Sequence, residues 1–264
     1  MNINIHNEFF YRLGTSLILI IILIGLFSIG NLGIYLMIIA LSFFSFLEIF
    51  KLKNRKVKLQ FYIPFFIILY IFIVNTEIID MPDLFLLTIL YITSSLLIIV
   101  SLFQKSNIHF SIIGFLINST FFSIIYLVSN HNLGYKLIFL IVTIISLCDI
   151  FAYLIGKKIG KFKIFPKISP NKTLEGYIGS IFFVLFLLVT ISSYYNLNDL
   201  NLILYLIILI ISSFIGDLYV SFFKRKLSIK DLGKLFPGHG GVLDRIDSWL
   251  FSFPISFLYY TLIN

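Results

Sequence analysis

The 264-residue sequence predicts an all-α fold: a polytopic transmembrane helical bundle of about nine spans. Three observations predict it. Hydrophobic residues form 59% of the chain and charged ones only 12%, where soluble domains carry about 25% charged residues. Apolar runs that approach or exceed the roughly 18 residues needed to cross a bilayer recur along the whole length. Of the 20 Lys and Arg, 19 fall in alternate loops, as in a chain threaded back and forth through a membrane.

Hydropathy places the spans near 13–30, 32–50, 59–76, 82–103, 109–128, 135–156, 177–195, 201–222 and 246–262. The first follows Arg12 and lacks a clear small-residue cleavage site, so it reads as a retained span rather than a signal peptide. With a cytoplasmic N-terminus, segments 1–12, 51–58, 104–108, 157–176 and 223–245 share that side. They carry 1, 5, 1, 6 and 6 basic residues, and Lys136 alone falls opposite. The expected location is the cell (inner) membrane, multi-pass, with N-terminus and active site cytoplasmic. Residues 1–134 read as a scaffold of about five helices. Residues 135–264 read as a catalytic region with two cytoplasmic loops, 157–176 and 223–245.

Composition excludes several functions. The single Cys148 lies in an apolar run, which leaves no disulfide framework and argues against redox chemistry. The net charge of +8 follows from topology and attraction to anionic lipid. Because the basic residues sit in short membrane-tied loops, nucleic acid is not an expected partner. Glu48, at the inner end of the second span, reads as an ion-pair partner of Lys51 or Lys53.

Glycine marks where chemistry is expected. Nine of the 15 glycines fall between Gly156 and Gly241. In the first loop, Ser169-Pro170-Asn171-Lys172-Thr173 reads as a turn into the next helix, with Thr173, Glu175 and Gly176 placed to cap it. A capped N-terminus offers backbone N–H groups to an anion. Upstream, Asp149, Tyr153, Gly156 and Gly160 share one helical face. The alternative for Asp149 is a structural ion pair with a neighbouring Lys.

The second loop is richer, with nine charged residues, one His and four Gly between Ser221 and Ser248. Asp217, Ser221, Lys224 and Arg225 form one stripe at the end of the eighth span, and Asp244, Asp247 and Ser248 a second at the start of the ninth. Carboxylates from two helices suit Mg²⁺, which favours a few carboxylates plus substrate phosphate oxygens. Lys224, Arg225, Lys230 and Arg245 would neutralise polyphosphate. Gly238, Gly240 and Gly241 would let backbone approach a ligand closely. His239 reads equally as an acid or base, a phosphate ligand or a turn residue.

These residues resemble the phosphatidate cytidylyltransferase (CDP-diacylglycerol synthase) family. Its signature is met by Ser221, Lys224-Arg225, Lys230-Asp231, Gly233, Pro237-Gly238-His239-Gly240-Gly241 and Asp244-Arg245-Ile246-Asp247. The segment from Asp149 through Ser169–Gly176 is also similar, with Leu174 where Trp is commoner and Ser180 where Gly is commoner. The first 130 residues match only in hydropathy and span count. The resemblance implies transfer of the cytidylyl group of CTP to phosphatidate, giving CDP-diacylglycerol and pyrophosphate with Mg²⁺, and leaves room for a second cation. It implies Asp217 and Asp244 as metal ligands. Lys224, Arg225, Lys230, Asp231, His239 and Arg245 are the expected catalytic residues. Ser169, Lys172, Thr173, Ser221, Gly240, Gly241 and Asp247 are the expected substrate-binding residues. A homodimer stays open.

The chemistry agrees. The lipid phosphate is already an anionic nucleophile, so transfer rests on alignment and charge neutralisation rather than on a strong general base. The alternatives are a CTP-dependent polyprenol or phytol kinase, which would move the γ-phosphoryl group, and an anionic metabolite transporter. Transporters place polar residues near the midplane, often in repeats, whereas here they gather at one face and repeats are absent.

Overall fold

A computed structural model describes residues 5–53, 108–130, 134–194, 200–236 and 240–263. It is all-α, with seven helices among the described residues: α1 Ile5–Ser28, α2 Asn31–Lys53, α3 Ile108–Asn130, α4 Gly134–Ile159, α5 Leu174–Tyr194, α6 Leu200–Lys226 and α7 Trp249–Ile263. Each coincides with a span expected from hydropathy. The expected spans 59–76 and 82–103 lie outside the described residues. Among the described residues, four stretches are long and apolar enough to cross a bilayer, Asn31–Ile49, Ile112–Ser129, Gly134–Ile159 and Asn201–Lys226, so the chain is a membrane protein. Among the described residues, the first helix departs most from its expected start, opening at Ile5 rather than near 13; the last helix also starts late. It begins at Trp249, because residues 242–248 fold back in turns in which Arg245 and Ile246 N–H donate to the Val242 carbonyl.

The chain divides into two compact units, Met1–Tyr135 with Ile229–Ile246, and Lys136–Ser228 with Asp247–Asn264. In the first, α1 turns into α2 at Gly30, whose φ of 75° is the left-handed conformation that glycine adopts without a Cβ penalty. Gly33 then passes so close to the Leu26 backbone that no side chain would fit. The α2–α3 packing is a core of Ile34, Ile38, Ile113, Ile117 and Phe121, with Tyr35 Oη and Ser129 Oγ hydrogen-bonded at 3.0 Å. Ser119, Thr120 and Ser123 return their hydroxyls to carbonyls within α3, which satisfies them in an apolar setting.

In the second unit α6 and α7 pack along a small-residue seam. Tyr205 donates to Ser256 at 2.8 Å, and Ser212 Oγ lies 3.4 Å from Ser252 Oγ. A side chain at Gly216 would run into the Asp247 carbonyl and Ser248. Small residues that let backbones approach are what helix pairs in lipid require, where burial of apolar surface drives little. Aromatic rings join the other pairs, Tyr177 to Phe214 and Phe151 to Phe183, both at 4.1 Å between centroids.

Candidate functional site

The second unit gathers polar groups at the end of α6 and the loop before α5. Lys163 pairs with Thr173 across that loop, with Ile164 N–H donating to the Lys172 carbonyl and Leu174 N–H to Phe162. Thr173 caps α5, as the sequence predicts: its Oγ1 accepts the Gly176 N–H at 3.2 Å. Glu175 accepts the Phe162 N–H on both oxygens, at 3.1 and 3.2 Å. Buried Thr173 fills the space that Cβ atoms on Gly156, Gly160 and Gly176 would occupy. Gly160→Ala should therefore lower stability by about 1–3 kcal/mol through overpacking, read as a fall in Tm of the purified protein.

That anchoring places Lys172, whose ammonium pairs with the Asp217 carboxylate on α6. Ser221, one turn further along α6, offers its hydroxyl to Asp217 Oδ1 at 3.4 Å. Arg225 is exposed and its Nε donates to the Ile168 carbonyl at 3.0 Å, tying the loop to the end of α6. Just before α7, Asp247 Oδ1 accepts the Ser248 N–H at 2.9 Å, and Ser248 Oγ donates to Asp149 Oδ2 at 3.3 Å. Asp247 is half-buried. Burial, and next the Asp217 charge, push its carboxyl well above the ordinary carboxylate range, while Lys224 and Lys172 pull the other way. Asp149 and Asp217 both repel the Asp247 charge, and Lys224 and Lys172 attract it.

The first unit holds the other residues, in the Gly-rich loop 229–246. Asp244 Oδ2 accepts the N–H groups of Leu232 and Gly241, both at 2.9 Å. Gly240 has φ 86°, and a Cβ there would press on Asp244. Phe236 and Gly240 exchange two backbone bonds at 2.9 and 3.1 Å and close the tip. Lys230, Asp231 and Arg245 are exposed. His239, with Pro237 and Gly238, lies outside the described residues.

The chain matches the sequence profile of the cytidylyltransferase family over residues 10–263. It belongs to that family. A phosphatidate cytidylyltransferase of Bacillus subtilis (strain 168) is 31% identical over 261 residues, 95% of this chain and 96% of its own. One from Staphylococcus haemolyticus (strain JCSC1435) is 41% identical over 132 residues, 49% of this chain and 51% of its own. One from Staphylococcus aureus (strain COL) is 46% identical over 114 residues, 42% of this chain and 44% of its own.

Within this cytidylyltransferase the α6 stripe of Asp217, Ser221, Lys224 and Arg225 forms on a continuous helix, as expected. The second stripe does not. Asp244, Asp247 and Ser248 sit in turns ahead of α7, so their spacing is set by loop bonds rather than by helical rise. Glu48 has Lys51 as an attractive neighbour, but its hydrogen bonds lie elsewhere. It is only 6% exposed, and its carboxylate accepts the N–H groups of Val242 at 2.7 Å and Leu243 at 3.0 Å. No local pattern announces a contact between residues 194 positions apart, whereas a lysine three residues on is a local one.

Proposed function

We infer that this chain is a phosphatidate cytidylyltransferase that joins CTP to phosphatidate and releases pyrophosphate. Similarity to the Bacillus subtilis enzyme over 95% of the chain carries the reading. In the reaction a phosphate oxygen of the lipid bonds to the α-phosphorus of CTP. The bond from that phosphorus to the bridging oxygen breaks, and the electron pair leaves with pyrophosphate. An already ionised nucleophile removes the need for a strong base, in keeping with a site of Lys, Arg, Asp and backbone amides.

Asp217 is the carboxylate we assign to Mg²⁺. Among the described residues, no group of three His, Cys, Asp or Glu converges to hold an ion unaided. Mg²⁺ does not need one, since it takes one or two carboxylates and fills its shell with water and phosphate oxygens. The donors fit: Asp217 is a hard oxygen ligand that already holds a cation, the Lys172 ammonium. When bound, Mg²⁺ would neutralise charge developing on the phosphates. Asp244 is assigned to the same task from the sequence pattern, with Oδ2 engaged by two amides of its own loop.

Lys172, Lys224, Arg225, Lys230 and Arg245 are assigned to phosphate oxygens. Ser169, Thr173, Ser221, Gly240, Gly241 and Asp247 are assigned to shaping the substrate site, and Asp231 and His239 to catalysis. Nine spans, a cytoplasmic N-terminus and a site opening at the cytoplasmic membrane surface complete the reading, supported by the loop charges. A pocket of about 710 Å³ lined by Ile164, Phe165, Pro166 and Phe222, with Arg225 and Lys226, suits an anionic lipid with apolar chains. Phe165→Ser should raise the KM for phosphatidate about tenfold and leave the KM for CTP unchanged. Equal shifts in both would remove the lipid from this pocket.

Purified protein in phosphatidate vesicles should release one pyrophosphate per CDP-diacylglycerol formed, with CTP and Mg²⁺ both required. Release of CDP together with a newly phosphorylated lipid would replace this reading with a kinase.

A further inference from the structure

We propose that Glu48 is the positioning residue of the Gly-rich loop 229–246, its carboxylate fixing the backbone from which Asp244 and Arg245 project. The inference deepens the functional reading, on which the importance of that loop rests. The structural observation stands without it.

A carboxylate within the apolar run of α2 is costly unless its oxygens are satisfied. Glu48 meets that cost with two amides, Val242 and Leu243, both bonded in a buried setting. Neither bond involves a cation, and both come from the loop rather than from its own helix. The loop is in turn shaped around the carboxylate. A methyl group added at Gly233 or at Gly241 would collide with the Glu48 side-chain oxygens. Two glycines of the loop thus leave room for the Glu48 carboxylate.

The amides of Gly241, Val242 and Leu243 are consecutive, and all three are held by carboxylates. Gly241 donates to Asp244, and the next two donate to Glu48. Successive N–H groups turned to one side form an anion-binding concavity. Here the anion at Val242 and Leu243 belongs to the protein. Those two amides hold the loop's shape, and substrate phosphate falls to the Lys and Arg side chains instead. Asp244 follows directly in sequence, so the direction of its carboxylate depends on how firmly Glu48 holds the two residues before it.

Glu48→Gln tests this in the purified full chain. The amide side chain offers one acceptor and turns an NH₂ toward the second donor. Hydrogen exchange in the absence of Mg²⁺ should then be about tenfold faster at Val242 and Leu243, as expected for the loss of one buried hydrogen bond, with α4 to α7 unchanged. In the assay with CTP and phosphatidate, kcat should fall and the Mg²⁺ concentration for half-maximal rate should rise, with the KM for phosphatidate unchanged. Gly241→Ala, which crowds the same carboxylate from the loop side, should give the same exchange signature. Wild-type protection of Val242 and Leu243 in both variants overturns the proposal. So does a loss of protection spread over all helices, or a kcat loss with an unaltered Mg²⁺ response. Absence of cytidylyl transfer by the wild type would instead overturn the functional reading, and the exchange result would still decide the role of Glu48.

Discussion

Asp217→Asn should lower cytidylyl transfer by about 100-fold or more, the scale of losing one preorganised electrostatic group at a reacting centre. Membrane insertion should be unaffected, since α6 is held by Leu209, Ile210 and Val220, all fully buried. The change leaves Lys172 without its anionic partner, at a position where the two side chains are only 18% and 25% exposed. A purely structural ion pair would then be repaired by removing both charges. The double variant Asp217→Asn with Lys172→Gln separates the two readings. If Asp217 serves Mg²⁺ and phosphate, the double variant stays inactive. If the pair only supports the fold, activity returns toward wild type.

Asp244 gives the second large effect and a finer contrast. Its Oδ2 accepts two amides of its own loop, so it has both a folding task and the charge we assign to Mg²⁺. Asn keeps an oxygen that can accept those bonds but removes the charge. Asp244→Asn should therefore lose transfer by about 100-fold while the Leu232 and Gly241 amides remain protected from exchange. Asp244→Ala should lose both the transfer and the protection. Full transfer by the Asn variant would show that Asp244 acts through loop geometry alone.

The parts of this account that the sequence made legible are those governed by local rules. Hydropathy found every described helix, since an apolar run of bilayer length has few other uses. Thr173 was legible as a cap because a small hydroxyl residue ahead of an apolar run is a local signal. The α6 stripe was legible because helical spacing alone sets it. The stripe of Asp244, Asp247 and Ser248 is expected at the start of the ninth span because polar residues three and one apart suit a helix and a run of turns equally. Turn hydrogen bonds decide between them, beside a Val242 and Leu243 backbone held by Glu48 from far away in the chain. Glu48 was illegible for the same reason. A lone acidic residue at a helix end has many plausible partners nearby, and here two backbone amides 194 and 195 positions away take it.

The most direct test of the account supplies the protein in phosphatidate-containing membranes with Mg²⁺ and CTP labelled at either the α- or the γ-phosphate. The α-label should enter the lipid as CDP-diacylglycerol, and the γ-label should leave as pyrophosphate. A lipid product carrying the γ-label alone would contradict it and make the enzyme a kinase.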